Sequence, residues 1–116
     1  MRSILVEEGS EEKKAYNSII VDPKSLSILN NSLSLKIVQE LAKNPGCALD
    51  LARSMGVHEQ KIYYHLRRLE GSGIIKLLRN EKRFGMTAKI YTTVSPVVAA
   101  KLYEDGFVIK DNKIKD

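Results

Sequence analysis

Apolar positions in the middle of the chain recur with a helical period. Leu33, Ile37, Val38 and Leu41 predict a helix over 33–43, stopped by Asn44, Pro45 and Gly46. A shorter helix is expected over 48–55, with Leu49 and Ala52 inward and Leu51 or Met55 at its edge. Gly56 closes it, because a left-handed residue after a helix is cheap only for glycine. Residues 56–75 then read as a tight turn, a helix and the first residues of a strand. Val57 packs the turn, His58 opens the helix as its cap or first-turn residue, and Ile62, Leu66 and Leu69 share one face. His65 falls on that inward side and reads as a structural, hydrogen-bonded histidine. Gln60, Lys61, Tyr64, Arg67 and Arg68 fall opposite. Tyr63 sits at the boundary, either beneath the following hairpin or facing outward.

Flanking elements follow from capping and turn chemistry. A short strand is expected over 3–6, and the rest of the first 21 residues is left without assignment. Asp22 followed by Pro23 is a helix start, for a short helix over 24–29. Asn30, Asn31 and Ser32 interrupt it and cap the next one. After Gly71, Ser72 and Gly73, strands are expected over 74–79 and 88–94, joined by a polar turn over 80–87 that contains Gly85. Ile90 and Tyr91 alternate across the second strand, so one of them is expected in the core. Ser95 and Pro96 look like another cap-plus-proline start, for a helix over 96–103. The tail either forms a small hairpin about Asp111 and Asn112 or frays.

Three segments result: 1–21, 22–95, and 96–116 as a dimerisation helix with a tail. Helix, helix, helix and hairpin in that order, with flanking N- and C-terminal helices, define an α+β but mostly helical fold, the winged helix-turn-helix.

The chain has 116 residues, enough for one domain with a single core. No apolar run approaches the roughly 20 residues of a membrane span, and the N-terminus lacks signal-peptide character. Cys47 is the single cysteine, in keeping with a reducing compartment, and a cytoplasmic location is expected. Charge placement says more than the net +5. Nine of the 19 Lys and Arg but three of the 14 Asp and Glu lie between Arg53 and Lys89. The positive excess therefore coincides with the third helix and hairpin, as a polyanion-binding surface requires.

The stretches DPKSLSILNNSLSLKIVQEL, LDLARSMGVHEQKIYYHLRRLEGSGII and GMTAKIY make the region 22–96 resemble the ArsR-like winged-helix regulators, particularly the small archaeal type. That resemblance implies a homodimer with the third helix, about 58–71, in the major groove of double-stranded DNA and the basic wing, 79–88, along the backbone. Gln60, Lys61, Tyr63 and Tyr64 then occupy positions facing base edges, and Arg67, Arg68, Arg79, Lys82 and Arg83 positions facing phosphates. The chemistry suits the division: glutamine pairs with adenine, lysine with guanine, tyrosine packs on a thymine methyl, and guanidinium groups meet phosphate. Val97, Val98 and Leu102 are the expected dimer contacts.

Departures from the family narrow its implications. Metal-sensing members use paired cysteines, or histidines with carboxylates. Cys47 is solitary here, and His58 and His65 are about 10 Å apart along one helix, so no metal is expected. Ser34 stands where many relatives carry arginine. With no phosphate-cradling glycine loop, no Ser/His/Asp or Cys/His pairing expected from the fold, and no cofactor motif, an enzyme is disfavoured. The leading expectation is a sequence-specific transcriptional regulator. A sequence-tolerant chromatin-type protein and a winged-helix protein-docking module are the alternatives.

Overall fold

A computed structural model describes residues 2–7 and 14–100. Its elements are β1 (Arg2–Glu7), β2 (Lys14–Val21), α1 (Pro23–Leu26) with a 3-10 turn over Ser27–Asn30, α2 (Ser32–Lys43), α3 (Ala48–Met55), α4 (Glu59–Gly71), β3 (Ile75–Arg83), β4 (Met86–Thr93) and β5 (Val97–Ala100). Helices α2, α3 and α4 with the β3–β4 hairpin form a winged helix-turn-helix.

Capping residues set the helix starts. Asn31 Oδ1 accepts from the backbone N–H groups of Leu33 and Ser34 at 2.9 and 3.1 Å, satisfying two of the free donors that begin α2. Asp22 stands at the cap position of α1 without a side-chain bond. Pro23 and the 3-10 continuation keep that element to a single α-turn. At the end of α3, Gly56 adopts φ +67°, and the Val57 N–H reaches back to the Ala52 carbonyl at 3.1 Å. This glycine lets the chain reverse sharply between the two helices of the motif.

One core holds these elements together. Ile37 and Leu41 of α2, Ala48, Leu51 and Ala52 of α3, and Ile62, Leu66 and Leu69 of α4 meet Ile74, Ile75 and Tyr91 from the hairpin side. Each fully buried Leu or Ile contributes about 1.5–3 kcal/mol relative to exposure. Within α3 the structure corrects the expected face. Leu51 is buried and Leu49 is 39 % exposed, because Ala48, Leu51, Ala52 and Met55 complete an i, i+3, i+4, i+7 stripe that Leu49 does not share.

The hairpin strands run further than their composition suggests. The turn contains Phe84 and Gly85 alone, closed by the pair Arg83 and Met86, in place of the eight-residue turn expected over 80–87. Both turn residues have positive φ, 51° for Phe84 and 78° for Gly85, as the tightest hairpin turns require. Polar residues such as Asn80 and Lys82 continue the strands because a two-stranded ribbon leaves faces in solvent. Leu78 forms a bulge between the pairs Leu77–Tyr91 and Arg79–Ile90. Ile90 and Tyr91 are both buried, not one of the two. Tyr91 also makes paired backbone bonds with Gly46, at 2.8 and 3.0 Å, which brings β4 against the start of α3.

A second sheet corrects both ends of the sequence reading. β1 and β2 are antiparallel, and β5 lies parallel to β2 in the order β1-β2-β5. The stretch left unassigned before residue 22 thus contains β2, and Val97–Ala100 is a strand where a helix was expected. Ser95 is the physical reason. Its Oγ does not cap a helix but donates to the Asn17 carbonyl at 2.9 Å, setting the register in which Ser18 pairs with Val97. Val97 and Val98, expected on a dimerisation helix, are therefore β5 residues, and Val98 packs against the chain's own core. Leu102, the remainder of that helix and the tail hairpin lie outside the described residues.

Candidate nucleic-acid interface

Helix α4 presents two contrasting faces. Ile62, His65, Leu66 and Leu69 are buried, whereas Gln60, Lys61, Tyr63, Tyr64, Arg67 and Arg68 are exposed. His58 starts the helix, its Nδ1 accepting the Gln60 N–H at 3.1 Å. That bond fixes the first turn, the part of a recognition helix that meets base edges.

His65 locks the rotation of α4 against α2. Its Nδ1 lies 3.0 Å from Ser34 Oγ, and both side chains are buried. Burial holds the imidazole below its ordinary pKa, with the cationic Arg68 and Lys61 adding to the effect, so the ring is neutral at pH 7. The fold therefore pairs a serine with a histidine without an acidic third member, and His65 is the buried, hydrogen-bonded residue that its inward position suggested. Ser34 at 1 % exposure has no access for a substrate, so the pair is structural.

Outward side chains on α4 are partly organised by each other. The Arg68 guanidinium lies over the Tyr64 ring, 5.6 Å from its centroid, and Tyr64 meets the His65 ring edge-on at 5.2 Å. Tyr63 is 40 % exposed and borders a cleft of about 190 Å³ between α3, α4 and the hairpin. It stands at the rim of that cleft, neither wholly beneath the wing nor wholly outside it.

The wing cations divide into two groups. Arg79, Glu81 and Arg83 alternate along one face of β3. Arg79 pairs with Glu81 at 2.6 Å, and Arg83 contacts Glu81 at 3.2 Å. Arg83 also reaches both carboxylate oxygens of Asp50, at 2.8 and 3.1 Å, and Cys47 Sγ at 3.6 Å. The guanidinium beside Asp50 holds that carboxyl below its usual range. Hydrogen bonds from Arg79 and then Arg83 do the same for Glu81. Arg83, expected at a phosphate, thus anchors the wing to α3 in the free protein. Lys82 lies on the opposite face across from Thr87, and Lys89 shares that face. Neither has an ion-pair partner among the described residues. Lys89 and the wing-tip Phe84 were absent from the expected site. Gly85 is the one turn signal the sequence carries there, and Phe84, a residue type that two-residue turns disfavour, hides the tip.

Among the described residues no group of His, Cys, Asp and Glu is arranged to hold a metal ion, and no helix is long and apolar enough to cross a membrane.

A capped helix with an apolar back and a polar, cationic front, beside a basic hairpin, defines a DNA-binding winged helix-turn-helix. Residues 29–77, spanning α2 to the start of β3, match the family described as a helix-turn-helix domain. The chain thus contains a helix-turn-helix domain, which points to a DNA-binding regulator. No curated protein matches the chain.

Proposed function

We propose that the protein is a sequence-specific transcriptional regulator of double-stranded DNA, acting in the cytoplasm as a homodimer. One observation carries the reading: the exposed set Gln60, Lys61, Tyr63, Tyr64, Arg67 and Arg68 rides on a helix whose rotation is fixed by the buried Ser34–His65 bond. In this reading Gln60, Lys61, Tyr63 and Tyr64 face base edges in the major groove. Arg67, Arg68, Arg79 and Lys82 meet phosphates, and Arg83 acts chiefly by holding the wing in place.

The homodimer rests on the resemblance to ArsR-like regulators of the small archaeal type and on the three-stranded sheet. β5 is an edge strand of that sheet in the described residues, the kind of edge a second copy can pair with. Val97 belongs to it, and two protomers would then read half-sites about one helical turn apart. The Arg83–Asp50 ion pair counts against the sequence-tolerant alternative, since it withdraws a wing cation that a coating protein would use. The docking-module alternative relied on an apolar terminal helix, and residues 97–100 do not form one.

The test is selection of duplexes from a random pool, followed by binding of two variants. Gln60→Ala is expected to lose discrimination of about 1–3 kcal/mol at one base position per half-site. Lys82→Ala is expected to weaken selected and random duplexes alike. Failure to enrich any sequence while binding persists would replace regulation with DNA coating.

A further inference from the structure

Phe84 is exposed in full, at 102 % of its reference area, and its φ of 51° places a bulky side chain in the left-handed region. Asparagine or glycine would suit that turn position on both counts. Phe84 and Met86 stand at the outer rim of the cleft that Tyr63 borders, and at full exposure the ring gains no burial from the domain, so its apolar area is left for a partner. Met86, 74 % exposed, stands beside it across the last pair of the hairpin. The base of this tip is held, since Arg83 joins it to Asp50 of α3 and to Glu81. A fixed ribbon therefore projects a naked aromatic ring.

We propose that Phe84 is a wedge that the wing inserts between neighbouring base pairs from the minor groove, unstacking them and bending the duplex. This rests on the DNA-binding reading above. Two observations choose the occupant. Lys82, one pair back from the end of the hairpin, and Lys89, three pairs back on the same face, have no ion-pair partner among the described residues, and they suit the phosphates that flank a groove. The apolar area is also small. A phenylalanine buries about 150–250 Å², well short of the roughly 800 Å² per partner of a stable protein interface, yet enough to fill a gap between base pairs. Apolar wedges of this kind kink DNA by about 20–90°. Sequence preference would follow at steps that unstack easily, such as pyrimidine–purine, without hydrogen bonds to those bases.

The chain contains no tryptophan, so Phe84→Trp places a single tryptophan at the tip, and excitation at its red edge separates its emission from that of the five tyrosines. That variant is titrated with a short duplex selected by the full chain from a random pool, with complex formation followed by mobility shift in the same samples. Quenching of the emission on binding is expected. Phe84→Ala is expected to lower affinity about tenfold, as loss of one aromatic–base stack does, and to straighten the bound duplex in a circular-permutation assay. Binding with unchanged emission, and an unchanged bend in Phe84→Ala, overturns the wedge and leaves the DNA-binding reading standing. An emission change that follows self-association in sedimentation without DNA overturns it in favour of a second copy. Failure to bind any duplex overturns both readings.

Discussion

Arg83 on the wing and Asp50 on α3 form a two-oxygen ion pair at 2.8 and 3.1 Å, across 33 residues of sequence. The pair joins the hairpin to the helix preceding the recognition helix, so wing position and helix position are not independent. Both side chains remain partly in solvent, and such pairs add little to global stability. Asp50→Asn should therefore leave the melting temperature nearly unchanged while speeding hydrogen exchange of the Lys82 to Met86 amides. Unchanged exchange would mean the hairpin is held by its backbone pairs alone.

The buried histidine predicts a pH dependence. Its folded pKa lies below the unfolded value near 6.5, so the unfolded chain takes up protons first as the pH drops. Stability is full above about pH 6.5 and falls as the pH is lowered towards the folded value. Asp50 and Glu81 are shifted downwards as well, and their contributions are lost only at more acidic pH. Melting temperatures measured from pH 8 to pH 5 should decline below about 6.5 in the native chain. A His65→Asn variant, whatever its absolute stability, should show no slope in that window.

The corrected face of α3 separates two leucines. Leu51→Ala should cost about 2–5 kcal/mol through lost burial and the cavity left behind. Leu49→Ala should stay within about 0.5 kcal/mol, as exposed substitutions do. Urea denaturation of the two variants decides the matter, and equal losses would contradict the helix rotation.

The wing tip should trade stability against binding. Phe84→Gly removes the left-handed strain, which is of the order of 1 kcal/mol, and should raise the melting temperature. The same variant should bind selected DNA more weakly than the native chain. A variant that gains stability without losing affinity would show that the exposed ring has no task on DNA.

Most of the helix-turn-helix was legible because its signals are local. Asn31 and His58 cap as their sequence contexts suggest, Gly56 takes the expected left-handed turn, and Ile62, Leu66 and Leu69 are buried as their spacing requires. The second sheet was not legible. Whether Val97–Ala100 becomes strand or helix depends on Asn17 and Ser18, nearly 80 residues away, and Ser95 followed by Pro96 mimics a helix start. In the candidate site, the outward face of α4 follows from periodicity. The state of the wing cations does not, because Glu81 and Asp50 reach Arg79 and Arg83 only once β3 has formed and docked on α3.

The central claim is specific, electrostatically supported DNA binding, and a salt series tests it most directly. Affinity would be measured for a duplex selected by the protein from a random pool and for a shuffled version of it. If Arg67, Arg68, Arg79 and Lys82 of each protomer meet phosphates, about eight contacts per dimer give a log–log salt slope near −7. A gap of about a thousandfold or more between the duplexes, with that slope, is the predicted result. Equal affinity for both, or no binding at low salt, would contradict it.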